Sequence, residues 1–111
     1  MIKNIDFCKT LELKNEVSYL DNQIVSKIIT QNKHHSMTLF ALYKNQEIAT
    51  HTTTGDALVQ ILDGTAKITI GENEYIVKKD ESIIMPANIP HSLYANENFK
   101  FLLTVIYEPK E

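Results

Sequence analysis

The sequence predicts an all-β protein that folds as one small domain. Isoleucine, valine and threonine number 14, 5 and 10 among the 111 residues, and β-branched side chains fit pleated sheets better than helices. Turn-forming residues recur at intervals of about eight to ten residues, which is the spacing of a sandwich or barrel of short strands. A chain of 111 residues has room for one hydrophobic core. We therefore expect a single domain over residues 1–111.

The strands follow from the segments between those turns. Residues 1–20 are predicted as a short N-terminal extension, in which Leu11, Leu13 and Val17 supply an edge strand or one helical turn. Residues 67–70 alternate polar and apolar side chains, as a half-buried strand does. In chain order, the predicted strands cover residues 23–30, 36–43, 47–53, 57–62, 67–70, 75–77, 82–85, 92–95 and 100–107.

Two of these strands are apolar on both faces. Residues 57–62 and 100–107 carry few polar side chains, which is typical of strands that are covered on both sides. A lone barrel of this size covers such faces only in part. We therefore expect a homodimer that shares sheets.

Composition argues against two classes of partner and indicates a compartment. The chain has no arginine and a formal net charge of −3, so we expect no nucleic-acid partner. The most apolar stretch, residues 101–107, is too short to cross a bilayer, and residues 1–10 contain no run of signal-peptide length, so we expect no membrane partner. The single cysteine, Cys8, cannot form an internal disulfide, which agrees with a reducing, cytoplasmic location.

Two of the four histidines occupy informative positions. His51 lies on a predicted strand between small side chains, where Ala49 and Thr53 are expected to share its face. His91 follows a turn bounded by Pro86 and Pro90, which sets its ring at the start of the next strand. We expect both rings to face the same barrel interior. The adjacent His34 and His35 lie in a polar turn and are predicted to be solvated.

At these positions the sequence resembles the small single-domain cupins of the cupin 2 type, over about residues 46–107. The first family motif is a glycine, a His-x-His pair, a glutamate and a second glycine, and it falls on Asn45, His51, Thr53, Ala57 and Gly64. The second motif is a glycine, Pro-x-Gly, a histidine and an asparagine, and it falls on Asp80, Pro86, Asn88, His91 and Ala95. The resemblance implies a cupin double-stranded β-helix, a jelly-roll-like β-barrel with the site at one mouth.

The departures from the motifs are of two kinds. Asn45, Asp80 and Asn88 replace family glycines, but asparagine and aspartate tolerate positive φ best after glycine, so the turns are expected to survive. Thr53 and Ala57 replace a histidine and the glutamate of the family's metal site, so this first motif is degenerate as a ligand set.

The resemblance leaves the function open between several possibilities. His51, Thr53, Ala57 and His91 are the predicted ligand-binding residues, for a small molecule held in the barrel lumen. His51 and His91 are also the candidate ligands of a weak divalent transition metal, namely Zn, Ni, Fe, Mn or Cu. The alternative is a metal-dependent enzyme of the dioxygenase or isomerase and cyclase type that uses the same histidines. A metal-free epimerase is a third possibility, and the catalytic residues are not identified.

Three further side chains near the motifs are expected to have structural roles. Asp56 adjoins the position of the missing glutamate, but on a strand its side chain points to the opposite face, and capping of the turn beside Gly55 is the expected role. Glu81 is expected to bond turn amides, and Met85 is expected to fill the core.

Overall fold

In the part of the chain that the structure describes, nine antiparallel strands form two sheets that pack face to face. In this computed structural model, which describes residues 1–108, a single 3-10 turn, Leu13–Glu16, precedes the first strand. The strands are β1 (Ile24–Gln31), β2 (His35–Leu42), β3 (Glu47–His51), β4 (Asp56–Asp63), β5 (Thr65–Ile70), β6 (Asn73–Lys78), β7 (Ser82–Met85), β8 (His91–Tyr94) and β9 (Phe99–Ile106). One sheet has the order β1-β2-β9-β4-β7 and the other β3-β8-β5-β6. The all-β prediction is confirmed, and residues 109–111 of the predicted domain lie outside the described residues.

The strand predictions agree with these bounds to within a few residues. The helical turn at Leu13–Glu16 is one of the two alternatives expected for the N-terminal extension. Among the described residues, no helix is long and apolar enough to cross a membrane.

Alternation along the strands places the core between the two sheets. On β4, Ala57, Val59 and Ile61 are buried, and each points inward because successive side chains of a strand face opposite sides. The rings of Phe99 and Phe101, on β9, are stacked with centroids 5.6 Å apart. Burying each such ring contributes about 2 kcal/mol to folding, so this core fixes which face of β4 and β9 lines the interior.

The N-terminal segment covers part of the outer face of the five-stranded sheet. The amide of Lys3 donates to the carbonyl oxygen of Ile29 at 2.8 Å, which joins the segment to β1. A second apolar cluster lies beneath it, with Val17 packed among Ile29, Leu39, Ala41 and Leu102. The apolar outer side chain Leu102 of β9 is therefore covered within one chain. Further along this face Ile84 and Ile106 are more than half exposed, and the homodimer stays a prediction.

Tyr19 fastens this segment to the barrel. Its hydroxyl donates to Oδ2 of Asp63 at 2.6 Å, and the ammonium group of Lys100 lies 4.8 Å from its ring centroid. Lys100 also donates to the carbonyl oxygen of Lys14 at 2.7 Å. Burial, and then the hydrogen bond to Asp63, raise the pKa of Tyr19 well above its ordinary value, so the phenol stays protonated as a donor.

Replacing Tyr19 by phenylalanine is expected to lower the free energy of unfolding by about 1–2 kcal/mol, because the Asp63 carboxylate loses a charge-assisted hydrogen bond. Urea denaturation measures the change. The control is Tyr94→Phe, which removes a longer, exposed bond of 3.3 Å to Asn45 and should change stability by less than about 0.5 kcal/mol. Equal effects of the two substitutions would contradict a stabilising role for the hydrogen bond between Tyr19 and Asp63.

Candidate functional site

Strands β3 and β8 place the two motif histidines opposite each other. His51 is paired with His91 across the two strands, and the register shifts between Ile48 and His51. Ile48 lies opposite the inward-facing Leu93, so strict alternation would turn His51 outward. The register shift turns it inward instead. As a result Ile48, and not the expected Ala49, shares the lumen wall with His51.

The two imidazole rings meet edge to face. Their Nε2 atoms are 3.2 Å apart, and the ring centroids are 4.4 Å apart with an angle of 70° between the planes. His91 is 2% exposed, whereas His51 is open to solvent. The expectation that both rings face one interior is confirmed. His51 therefore lies at the mouth of the lumen and His91 lies behind it.

Backbone carbonyl groups determine which ring nitrogens carry protons. Nδ1 of His51 lies 2.8 Å from the carbonyl oxygen of Ala49, and Nδ1 of His91 lies 3.1 Å from that of Ile89. A carbonyl oxygen only accepts hydrogen bonds, so each Nδ1 is the donor. In the neutral rings both Nε2 atoms then present lone pairs. The close approach of the two Nε2 atoms becomes a hydrogen bond only when the pair holds one additional proton.

Burial disfavours that additional proton on His91. Desolvation lowers the pKa of His91 below its ordinary value, the hydrogen bond to Ile89 opposes the change, and the neighbouring His51 lowers the pKa further. The folded protein therefore binds this proton less tightly than the unfolded chain. This group's contribution to stability is present above the ordinary histidine pKa of about 6.5 and is lost as the pH falls from there toward the lower folded-state pKa.

The histidine pair forms one wall of an apolar cavity of about 80 Å³ between the sheets. The five-stranded sheet contributes Phe40, Phe101, Leu103 and Val105 to its lining. Phe40 and Phe101 are stacked with their ring centroids 4.9 Å apart. Sequence reasoning did not identify these apolar residues as part of a site, although each follows from strand alternation once one inward residue of its strand is known.

The four predicted ligand-binding residues line this one cavity. Ala57 is 1% exposed on β4, and together with Thr53 it lines the cavity with His51 and His91. The Thr53 hydroxyl donates to the carbonyl oxygen of Gly55 at 2.7 Å, so its proton is already used. The positions of the family's four metal ligands thus converge here, but only two of them hold a metal-binding side chain.

This donor set does not fit the family's metal site. Within residues 1–108, no three side chains of histidine, cysteine, aspartate or glutamate are grouped so that they could hold one ion. Two neutral imidazoles supply no charge to offset a divalent cation, and closed transition-metal sites use three or four protein ligands. The histidines are a fragment of that site.

Met85 is buried in the core, as expected, and also lines the cavity, whereas Asp56, Glu81, His34 and His35 lie outside it. Oδ1 of Asp56 accepts the amide of Ala87 at 2.8 Å, and the carboxylate of Glu81 accepts the amide of Lys78 at 2.8 Å. Glu81 therefore bonds a turn amide, as expected, whereas Asp56 bonds the turn that follows β7 and not the expected turn beside Gly55. His34 and His35 follow a turn in which Oδ1 of Asn32 accepts both of their amides, at 2.7 and 3.0 Å.

Solved structures of similar proteins share this architecture. The chain is similar over 98% of its length to a conserved protein of unknown function from Streptococcus pyogenes, with 43% sequence identity, 96% of that chain covered and a TM-score of 0.96. A cupin 2 conserved barrel domain protein from Leptotrichia buccalis is 39% identical over 86% of this chain and 47% of that chain, with a TM-score of 0.85.

A more distant structure supports the fold alone. A cupin superfamily protein from Desulfitobacterium hafniense has 23% identity, a TM-score of 0.93, and coverage of 97% of this chain and 99% of that chain. No protein with a curated function is similar enough to match the chain. The sequence signature of the Cupin domain family (Cupin_2) matches residues 38–107, which include both motifs and the cavity residues contributed by β7, β8 and β9. The chain therefore belongs to the cupin family and has its all-β double-stranded β-helix.

Proposed function

We propose that this cupin binds a small molecule in the lumen between its sheets, with the His51 and His91 pair as the polar anchor. The observation that carries the proposal is the approach of the two Nε2 atoms, 3.2 Å apart, at the wall of an otherwise apolar cavity. Apolar pockets with a few convergent polar groups are the usual form of small-molecule sites.

The arrangement favours binding over metal-dependent catalysis. Ala57 stands where a family metalloenzyme has its carboxylate, and its methyl group is buried in the cavity wall. Around this cavity, the described side chains other than the two histidines are apolar or, in Thr53, hydroxyl-bearing. A ligand here is oriented by two imidazoles and held by apolar contact, and neither function needs a metal ion.

Weak metal binding is the second candidate, and one distance favours it. Two nitrogen ligands bound to the same ion at about 2.0–2.1 Å in tetrahedral geometry lie roughly 3.3 Å from each other, which is close to the 3.2 Å between the two Nε2 atoms. Zn, Ni, Fe, Mn or Cu would then be held by His51 and His91 alone. Such binding follows the Irving–Williams order, because the site imposes no further geometry.

A lumen-filling variant tests the proposal. In the Ala57→Leu variant a larger side chain occupies much of the cavity, so binding of compact molecules is expected to fall at least tenfold. Methyl-labelled protein is titrated in the presence of EDTA with a library of molecules of about three to eight non-hydrogen atoms. NMR shifts at the lumen residues Leu103 and Val105 report binding in the cavity.

Gln60→Leu is the matched control, because Gln60 is exposed on the opposite face of the same strand. It should bind every library compound as the natural protein does. The proposal is refuted if no compound in the library shifts the lumen resonances, or if all such shifts persist in Ala57→Leu. Shifts that appear only when the titration is repeated without EDTA would favour the metal-bound alternative instead.

A further inference from the structure

Among residues 1–108, the side chains that line the lumen offer hydrogen-bond acceptors and no free donor. From this we infer that the lumen selects compact neutral molecules that carry a hydrogen-bond donor and rejects anions at neutral pH. This inference rests on the proposed function, since it specifies the class of ligand for the same cavity.

The acceptors follow from the backbone around each histidine. Because the carbonyl oxygens of Ala49 and Ile89 fix the protons on Nδ1 of His51 and His91, both Nε2 atoms turn lone pairs to the lumen. They lie 3.2 Å apart, so a single N–H or O–H group of a ligand can reach either one. A donor at this point also separates two lone pairs that otherwise face each other.

Thr53, the other lining side chain with a polar atom, adds no free donor. The hydroxyl proton of Thr53 is engaged by the carbonyl oxygen of Gly55 at 2.7 Å, so the hydroxyl oxygen has lone pairs to offer and no proton. A carboxylate or phosphate in the lumen would therefore meet acceptors only. Leaving buried polar groups unpaired costs much of the affinity of a ligand.

In the described part of the chain, no ionisable group besides the two histidines lines the cavity. Apart from the two histidines and Thr53, the described lining residues come from six strands, and none of their side chains is ionisable. They are Phe40, Ile48, Ala57, Met85 and Leu93, with Phe101, Leu103 and Val105 on β9. The carboxylate of Asp56 is turned to the amide of Ala87 and does not line the cavity.

The cavity volume limits the size of the apolar group that the donor can carry. The cavity of about 80 Å³ is roughly half of the ~150 Å³ that accommodates a benzene ring in an apolar core. A branched end of about three carbons fits this space. The polar head then lies beside His91 and near the mouth at His51.

Three molecules of almost equal shape distinguish the effects of a hydrogen-bond donor, a neutral group without a donor, and a negative charge. Isobutyramide carries an N–H donor, 3-methyl-2-butanone replaces the amino group by methyl, and isobutyrate replaces it by an anionic oxygen. Each is titrated into the natural protein at pH 8, with EDTA, while NMR follows Leu103 and Val105. We expect isobutyramide to bind about tenfold more tightly than the ketone, as one hydrogen bond provides, and isobutyrate to bind less tightly than either.

Removing one acceptor tests the role of the pair. His51 is exposed, so His51→Leu is expected to fold, and it should reduce the advantage of the amide over the ketone by at least threefold. His34→Leu is the matched control, because His34 is exposed in a turn outside the cavity. It should leave the ratio unchanged.

Each contrary outcome identifies which statement is wrong. Equal affinities for amide and ketone, both abolished by Ala57→Leu, would overturn donor selection while the proposed function stands. Tightest binding by isobutyrate at pH 8 would show that the pair holds an additional proton, and would overturn the inference. If none of the three binds although other library compounds occupy the lumen, the inferred ligand class is wrong. If the whole library fails, the proposed function fails.

Discussion

Replacing Thr53 by histidine and Ala57 by glutamate is expected to raise the affinity of the protein for Zn²⁺ by a factor on the order of 1000, since a closed four-ligand site gains roughly 10 kcal/mol or more on binding zinc. Both positions line the same cavity as His51 and His91. The new glutamate supplies the negative charge that the natural donor set lacks. The new imidazole supplies a third nitrogen.

Calorimetric titration of Zn²⁺ and Ni²⁺ into the natural protein and the double variant measures this gain. The matched control places the same two groups one residue away, as Thr52→His with Leu58→Glu. Thr52 is exposed, and Leu58 is paired with the outward-facing Ile84, so these groups do not enter the lumen. The control is expected to bind metal as weakly as the natural protein.

In the same titration the natural protein is expected to bind metal weakly and without strong preference. A mild chelator should remove the ion, and so should acidification, because protons compete with the metal for the nitrogen ligands. Tight, stoichiometric and ion-selective binding by the natural protein would contradict a site of two nitrogens. Asp56 would then be the first additional ligand to examine, although its carboxylate bonds the amide of Ala87 in the structure.

The strands and the proximity of the two histidines could be predicted from the sequence for a physical reason. Alternation assigns each strand an inner and an outer face, and the two motifs place His51 and His91 on neighbouring strands. The prediction that Ala49 shares a strand face with His51 was wrong, because the register shift before His51 breaks the alternation. Nothing in the order of side chains around His51 marks that shift.

Two further features depended on contacts between distant parts of the chain. In residues 57–62 and 100–107, apolar side chains on both faces predict a subunit interface, and the homodimer stays a prediction. One of these outer side chains is Leu102 of β9. The structure covers this side chain with Val17 and its neighbours from the N-terminal segment. Likewise, the protons on Nδ1 follow from the carbonyl groups of Ala49 and Ile89, whose direction is set only by the folded backbone.

At the motif turns, the residue type alone was enough to predict the backbone conformation. Asn45, Asp80 and Asn88, which replace family glycines, have φ values of 73°, 71° and 64°. These are the left-handed conformations that asparagine and aspartate tolerate best among residues with a side chain. The expectation that the turns survive is confirmed. Gly64, by contrast, is a motif position at which this chain has the family glycine.

Gly64 is expected to be the one motif turn that does not accept asparagine. Its φ is +71°, like the others, but a Cβ added there would overlap the carbonyl oxygen of Asn98 and lie 3.0 Å from Cα of Phe99. Neither atom can move freely. The side chain of Asn98 accepts the amide of Lys44 at 2.7 Å, and Phe99 is fully buried in the core.

We therefore expect Gly64→Asn to lower the free energy of unfolding by about 3 kcal/mol or more, because strain at a special backbone position adds to displacement of a core strand. Gly71→Asn is the matched control. Gly71 also has a positive φ, of 59°, but its nearest neighbour would be the side chain of Ile89 at 3.8 Å, an ordinary contact. That substitution should cost at most about 1 kcal/mol. Thermal and urea denaturation of both variants provide the comparison. Equal stabilities would mean that the chain near Asn98 yields to a side chain at residue 64, and that the turn keeps glycine for a reason other than space.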